Sequence, residues 1–427
     1  MKSATLFIIA FVFTKNNPFN HSPCLQISEI GVYEQFFLIA GFVCVFWISG
    51  MLQTFLSIFN KKDKLLLYEE KSAYFNVLLL FIFFGLLAAI TVFIFQSPIS
   101  HYITNSNNFS IPYIKILFFY IIFSCPANLV EHFYFLQKKA IKLFIYGIII
   151  FSIQLLAVII PIWLTFDIAY GLYGIVFTNF IRFLWACILV KKYSTLQISF
   201  SFIKKYLKLS FPLILGFLIG GSALYINGFM ILYKFKEEAF AIFKYGKELP
   251  LITILIGSYA NAIIPLFSDK YNLKETLNTI KNGVSKLIHI IFPISIILIL
   301  TSKYIYPILF NKDFKESALI FNIYFLMLLG RFVFSRSILL AFHKNKIILF
   351  SALIELSINI LLSSILINIL GIIGVVIAIV VANLSEKLFL IISLQKTQKI
   401  KLSDYLNIKL LIIYFSVLLM CFCISLF

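Results

Sequence analysis

Long apolar runs recur along the whole sequence, separated only by short polar breaks, and this pattern restricts the fold more than any other feature. The hydrocarbon core of a bilayer requires about 20 apolar residues per helix, and a helix satisfies its backbone hydrogen bonds within its own segment. Hydrophobic residues make up 62% of the 427 positions and charged residues 12%, about half the charged share of a typical soluble domain. The sequence predicts an all-α, polytopic membrane protein with no separate soluble domain.

Hydropathy predicts thirteen membrane-spanning helices, within one helix of that number. The predicted spans are 4–13, 36–58, 74–95, 114–136, 143–163, 172–190, 211–233, 241–267, 287–300, 318–342, 347–370, 372–394 and 410–427.

Lysine residues are distributed unequally between the breaks. Alternate breaks carry 22 of them and the intervening breaks carry 6, and loops rich in Lys and Arg remain on the cytoplasmic side of a membrane. The bias predicts a cytoplasmic N-terminus, and we expect the chain to lie in a bacterial inner membrane. It also accounts for most of the net charge of +19, which therefore does not indicate nucleic-acid binding, because a nucleic-acid binder gathers its cations on one solvated face.

Three features of the first half recur in the second half about 205 residues later. They are Gly171 and Gly174 with Gly371 and Gly374, the basic turn 137–141 with 343–347, and more weakly 31–33 with 241–243. A repeat with an even number of helices gives two halves of the same orientation. The alternative is that the glycine pairs mark unrelated tight turns between helices. We expect two six-helix lobes around a central cleft, at 1–203 and 204–400, with an extra C-terminal helix at 401–427.

Motifs for catalysis are absent from the sequence. It contains no GxxxxGK[ST], HExxH or GxSxG motif, and its five histidines lack metal-ligand spacing. The longest breaks on the predicted outer side, 15–28 and 96–113, are too short for a folded catalytic domain. We therefore expect no enzymatic activity, cofactor or metal.

Charged residues inside predicted spans mark candidate functional sites, because a charge at the bilayer centre costs about 2.5–3.5 kcal/mol on insertion scales. An anion carried through a cleft needs cations, and Arg and Lys supply them. The cationic candidates are Arg182, Lys244, Lys247, Arg331 and Arg336. The alternative for each is an ion pair with a neighbouring acid, such as Glu248 one turn after Lys244, or extension of the side chain to the interface.

Three carboxylates inside predicted spans are candidates for coupling transport to an ion. They are Glu131, Glu355 and Glu386. A carboxylate in low-dielectric surroundings can exchange protons near neutral pH. The alternative is an ion pair that only joins two helices.

Four strings in matching order resemble the Wzx-type polysaccharide flippases, the O-antigen and capsule transporters of the multidrug/oligosaccharidyl-lipid/polysaccharide exporter superfamily. The strings are residues 28–33, 209–212, 263–268 and 367–375. The resemblance implies a flippase that moves an undecaprenyl-diphosphate-linked oligosaccharide to the periplasmic leaflet by alternating access, through a basic cavity. It also implies the bilayer as surroundings, and a polysaccharide polymerase and a chain-length regulator as further partners.

The sequence departs from this family pattern at two places. The first predicted span, 4–13, is shorter than a bilayer requires, and Asn227 stands where relatives often carry Asp. Two other functions stay open, a multidrug or small-molecule exporter of the same superfamily and a membrane-embedded enzyme of glycan assembly. The intramembrane cations argue against the exporter, and the short outer loops argue against the enzyme.

Overall fold

The computed structural model describes residues 26–60, 70–104, 111–165, 167–247, 250–267, 273–310 and 312–426. Within these ranges all regular structure is helical, as the sequence predicts. The first predicted span, 4–13, lies outside the described residues.

Sixteen α-helices and two 3-10 segments follow one another along the described chain. The α-helices are α1 (Ile27–Asn60), α2 (Glu70–Ile94), α3 (Gln96–Thr104), α4 (Ile114–Ala127), α5 (Leu129–Leu136), α6 (Ala140–Thr165), α7 (Ile168–Tyr193), α8 (Phe200–Lys247), α9 (Pro250–Ile263), α10 (Leu273–Leu309), α11 (Lys315–Phe325), α12 (Leu328–Arg331), α13 (Ser335–Ala341), α14 (Asn345–Gln398), α15 (Leu402–Tyr405) and α16 (Ile408–Ser425). The 3-10 segments are Ile264–Phe267 and Lys312–Phe314.

Nine continuous helical segments in the described chain are long and apolar enough to cross a membrane, and a helix pair bent by 44° adds a tenth. Two of the nine have more than 40 residues, enough for two spans. The α14 helix has 54 residues, about 81 Å at 1.5 Å per residue, and it breaks at Gly371. The α8 helix has 48 residues and breaks at Lys236. Both breaks fall between predicted spans, so each of these two long helices covers more than one predicted span. Every predicted span from 36–58 onward has a helical counterpart among the described residues.

The predicted bounds differ most from the helices of the structure at two spans. The span predicted at 287–300 is part of α10, which has 37 residues. Hydropathy missed its first turns because Lys274, Glu275 and other polar residues occupy them, although these residues are compatible with a helix. The span predicted at 318–342 is broken into α11, α12 and α13.

The first compact unit is Met1–Ala241. In it, close helix packing depends on small residues: a Cβ at Gly174 of α7 would meet the carbonyl of Ala157 in α6, and a Cβ at Gly85 would meet the Cβ of Cys125 at 3.0 Å. The first part of α8 packs on α1, where the Tyr206 hydroxyl donates to the Met51 carbonyl oxygen at 2.6 Å. Glycines therefore set the helix spacing in this unit.

The second compact unit is Ile242–Phe427, and α10 is its central helix. The C-terminal helix α16 packs on α10, with the Tyr414 hydroxyl 2.9 Å from Nδ1 of His289. At Gly371, φ is 62° and ψ is −138°, a backbone conformation that only glycine adopts without strain. The chain therefore turns there between the two halves of α14. The lobes at 1–203 and 204–400, with the extra helix 401–427, stay a prediction.

The internal repeat is visible in the backbone of the two units. The turn between α5 and α6 places Lys138 at φ 53°, and about 205 residues later the turn between α13 and α14 places His343 at φ 56°. The next amide donates in the same way in both turns, from Lys139 to the Tyr134 carbonyl at 3.0 Å and from Lys344 to the Leu339 carbonyl at 2.9 Å. The two basic turns that the sequence matched thus share one conformation.

Candidate functional site

In the first unit, two of the predicted site residues form an ion pair. Nη2 of Arg182 in α7 lies 2.8 Å from Oε1 of Glu131 in α5. The Arg182 guanidinium also donates to the Tyr146 hydroxyl at 3.1 Å and to Oδ1 of Asn179 at 3.1 Å. Its side chain is only 14% exposed. This cation is held by a carboxylate and two polar groups, so its charge is neutralised within the unit.

In the second unit, the predicted site residues Arg336 and Glu386 also meet. Nη1 of Arg336 in α13 lies 3.6 Å from Oε1 of Glu386 in α14, and Nζ of Lys387 lies 2.7 Å from Oε2 of the same carboxylate. Ser351, in the first half of α14, donates to Glu386 Oε1 at 3.2 Å. The Glu386 side chain is 1% exposed, so three groups stabilise one buried carboxylate.

The two clusters lie on matching helical segments of the repeat. A shift of 205 residues takes the acid Glu131 to the base Arg336, Tyr146 to Ser351, and the base Arg182 to the base Lys387, which directly follows Glu386. Each unit therefore joins these segments through ion pairs, with one acid and one base in the first unit and one acid and two bases in the second.

Sequence reasoning selected Glu131, Arg182, Arg336 and Glu386 but not Lys387 or the neutral partners of these clusters. Tyr146, Asn179 and Ser351 are uncharged, and no hydropathy or motif criterion separates them from other polar residues in spans. For Lys387 the repeat itself was the available signal, because an offset of 205 residues leads from Arg182 to it.

Arg331, at the end of α12, differs from the other two arginines. Its Nη1 donates to the Thr253 hydroxyl of α9 at 3.0 Å, and in the part of the chain that the structure describes no carboxylate lies within 4 Å of it. A guanidinium carries five N–H donors in a planar fork. Thr253 is its hydrogen-bond partner among the described residues, and a guanidinium fork has the geometry that matches a phosphate.

Lys244 and Lys247 lie in the part of α8 that follows the break at Lys236, and both are half-buried. They are three residues apart, so they share one face of the helix. Between them, the carbonyl oxygen of Tyr245 accepts a hydrogen bond from the Tyr306 hydroxyl of α10 at 3.0 Å. The packing fixes the helix that carries the two lysines.

The three predicted ion-coupling residues have different surroundings. Glu131 and Glu386 are the acids of the two ion pairs. Glu355, in the first half of α14, accepts a hydrogen bond from the Asn383 amide at 3.2 Å, and among the described residues no cation lies within 4 Å of it. No group of three His, Cys, Asp or Glu residues in the described ranges could hold a metal ion.

The fold resembles that of several solved membrane transporters. An inward-closed lipid II flippase MurJ has a TM-score of 0.71 at 17% identity, covering 99% of this chain and 95% of that one. The Vibrio cholerae MATE transporter VcmN, in its bent form, has a TM-score of 0.57 at 12% identity, covering 95% and 94%. A transporter of the MOP superfamily from Pyrococcus furiosus has a TM-score of 0.59 at 13% identity, covering 98% and 93%.

These similarities define the class, a multi-pass membrane protein with the fold shared by MurJ and the MATE transporters. Comparison with curated proteins finds no match. A family model described as "Polysaccharide biosynthesis protein" matches residues 24–319. The chain belongs to this polysaccharide biosynthesis protein family, which confirms the kind of family that the four sequence strings indicated.

Proposed function

We propose that this chain is a flippase that carries a polyprenyl-diphosphate-linked oligosaccharide from the cytoplasmic to the periplasmic leaflet of the bacterial inner membrane. The transport would proceed by alternating access and serve surface polysaccharide assembly, of O-antigen or capsule type, together with a polymerase and a chain-length regulator. Membership of a polysaccharide biosynthesis family and the transporter fold support this proposal.

The observation that carries the proposal is the state of Arg331. Two of the three arginines lie within 4 Å of a carboxylate, whereas Arg331 has the Thr253 hydroxyl as its partner among the described residues. A diphosphate and its sugars lose their water on entering hydrocarbon, at a cost of several kcal/mol for each polar group that is left unpaired. A guanidinium fork can replace part of that water with two parallel charge-assisted hydrogen bonds. The Thr253 hydroxyl holds one nitrogen, Nη1, of the fork.

Lys244 and Lys247 would add positive charge for the same diphosphate, and Glu355 would bind the coupling ion. Glu355 suits this role better than the other two glutamates, since a cation already occupies each of their carboxylates. A proton or sodium ion could therefore bind Glu355 without first breaking an ion pair among the described residues.

The test uses purified protein in liposomes that contain undecaprenyl-diphosphate-N-acetylglucosamine. An added galactosyltransferase with labelled UDP-galactose marks only the sugars exposed on the outside, so labelling beyond the initial outer fraction measures translocation. We expect Arg331→Ala to slow translocation roughly 10- to 100-fold, because hydrogen bonds to charged groups contribute about 1.5–3 kcal/mol. Arg331→Lys keeps the charge but loses the fork, so we expect an intermediate rate.

Lys286→Ala, which removes an exposed cation from α10, serves as the matched control and should transport normally. Equal rates for Arg331→Ala and Lys286→Ala would refute the role of Arg331. A wild-type protein that translocates a fluorescent phosphatidylcholine as fast as the diphosphate lipid would refute the flippase itself.

A further inference from the structure

A cavity of about 340 Å³ lies in the first unit, where the end of α5, the start of α6 and the end of α7 meet. Its volume is in the range of small-molecule sites. The indole N–H of Trp185 donates to the Tyr134 hydroxyl at 2.9 Å and so fixes one wall. The lining residues are Tyr134, Lys142, Trp185, Ile188, Leu189, Lys192 and Tyr193.

The cavity carries positive charge that is not neutralised. Lys139, beside it, donates to the Tyr193 hydroxyl at 2.8 Å and lies 4.3 Å from the centre of that ring. Lys142 and Lys192 line the cavity and are exposed, and no acid of the described chain lies within 4 Å of either. None of the lining residues is acidic. The cavity is therefore suited to an anion.

Each of these two lysines stands at the end of an exposed apolar stripe on its own helix. Lys142 is followed on the same face of α6 by Ile145 and Ile149, which are 49% and 38% exposed. Lys192 is preceded on one face of α7 by Ile188 and Leu184, which are 65% and 44% exposed. Both helices are long and apolar enough to span a membrane, so exposed apolar stripes on them are suited to contact with hydrocarbon. Charge at the helix end and apolar surface toward the bilayer centre match the two parts of a lipid.

The repeat shows that the fold does not require this chemistry. At the equivalent positions of the second unit, Ile347 replaces Lys142 and Phe389 replaces Trp185. The turn between the helices has the same backbone conformation in both units. The charge of Lys142 and the indole N–H of Trp185 are thus features of the first unit, whereas an aromatic ring at Phe389 and a base at Lys396 recur in the second.

We propose that this cavity binds the headgroup of an anionic phospholipid, with its phosphate between Lys142 and Lys192 and its acyl chains along the two apolar stripes. Basic pockets between helices at the membrane surface bind such headgroups, and aromatic side chains are favoured at that depth. Free phosphate would leave the stripes unused, and a zwitterionic lipid would bring a cation to a site with no acid. The proposal is independent of the transported substrate.

The test is native mass spectrometry of the whole chain released from nanodiscs that contain equal amounts of phosphatidylglycerol and phosphatidylcholine. We expect the wild type to retain one phosphatidylglycerol. The double variant Lys142→Gln/Lys192→Gln should retain it at least ten-fold less, because each basic residue near an anionic surface strengthens binding roughly five-fold. The control Lys138→Gln/Lys191→Gln removes two lysines that do not line the cavity and should retain lipid as the wild type does.

Three outcomes would overturn the proposal. They are equal loss in both double variants, equal retention of the two lipids by the wild type, and displacement of the bound lipid by inorganic phosphate. Thermal unfolding of both variants at the wild-type temperature would show that a loss of lipid comes from the site and not from misfolding. The Trp185→Phe variant, which imitates the second unit, should weaken retention without removing either charge.

Discussion

The ion pair between Glu131 and Arg182 predicts that the first unit tolerates an exchange of these two charges. Changing Glu131→Arg alone would place two cations together, and changing Arg182→Glu alone would place two acids together. The double variant Glu131→Arg/Arg182→Glu recreates the order of Arg336 and Glu386. We expect each single change to destabilise the protein and the double change to recover most of the loss.

The size of the effect follows from burial. Breaking a fully buried ion pair costs about 3–5 kcal/mol, but the Glu131 side chain is 35% exposed, so we expect about 2 kcal/mol for each single variant. The neutral partners support the exchange, because the Tyr146 hydroxyl and the Asn179 amide each can accept from a cation or donate to an acid. The bond from Arg182 to the Ala127 carbonyl, at 3.5 Å, is the one contact that the exchange loses.

The assay is thermal unfolding of the purified protein in detergent, followed by tryptophan fluorescence. A loss of about 2 kcal/mol lowers the midpoint by roughly 4–8 °C for a unit of about 200 residues. Lys191→Glu, an exposed change on the same helix, controls for net charge and should change the midpoint little. If the double variant unfolds at the temperature expected from adding the two single losses, the two side chains do not act as a pair, and the reasoning fails.

Three further predictions concern a close contact between two helices, a strained backbone position and the proposed coupling carboxylate. Gly174→Ala would push a Cβ into the Ala157 carbonyl and should lower the unfolding midpoint, whereas Gly147→Ala, with nothing within 4 Å, should leave it unchanged or raise it slightly. Lys236 has φ 65° and ψ −168°, a region of strain for every residue except glycine, so Lys236→Gly should stabilise the protein by about 1 kcal/mol or more. Glu355→Gln should abolish the response of translocation to an imposed ion gradient while the protein still folds.

Each of these predictions has an outcome that would contradict it. Equal midpoints for the two glycine variants would mean that the α6–α7 contact is not close. A lower midpoint for Lys236→Gly would mean that the lysine side chain contributes more than its backbone costs. Gradient-driven translocation at the wild-type rate in Glu355→Gln would remove this carboxylate from the coupling mechanism.

The amino-acid sequence alone determined the class of structure and the approximate positions of the helices. Apolar runs long enough for a bilayer form membrane-spanning helices. Hydrocarbon contains no water to pair with backbone groups, and a helix pairs them within its own segment. The repeat was also visible in the sequence, because glycine recurs at positions 174 and 374. In the structure each of these glycines allows a close approach to a backbone carbonyl. Hydropathy failed where polar residues continue a helix, as at the start of α10, and where a helix bends, as between α11 and α13.

Only the tertiary structure decided which arginines lie beside a carboxylate of the described chain and which do not. Arg182, Arg331 and Arg336 are alike in sequence, each a single cation among apolar residues. Whether an acid lies within reach depends on contacts between helices distant along the chain, such as Glu131 with Arg182 and Glu386 with Arg336. A local sequence pattern carries no information on such distances, because helix packing sets them through side-chain shape and small residues. The fold thus distinguished Arg331 from the two arginines that stabilise the bundle.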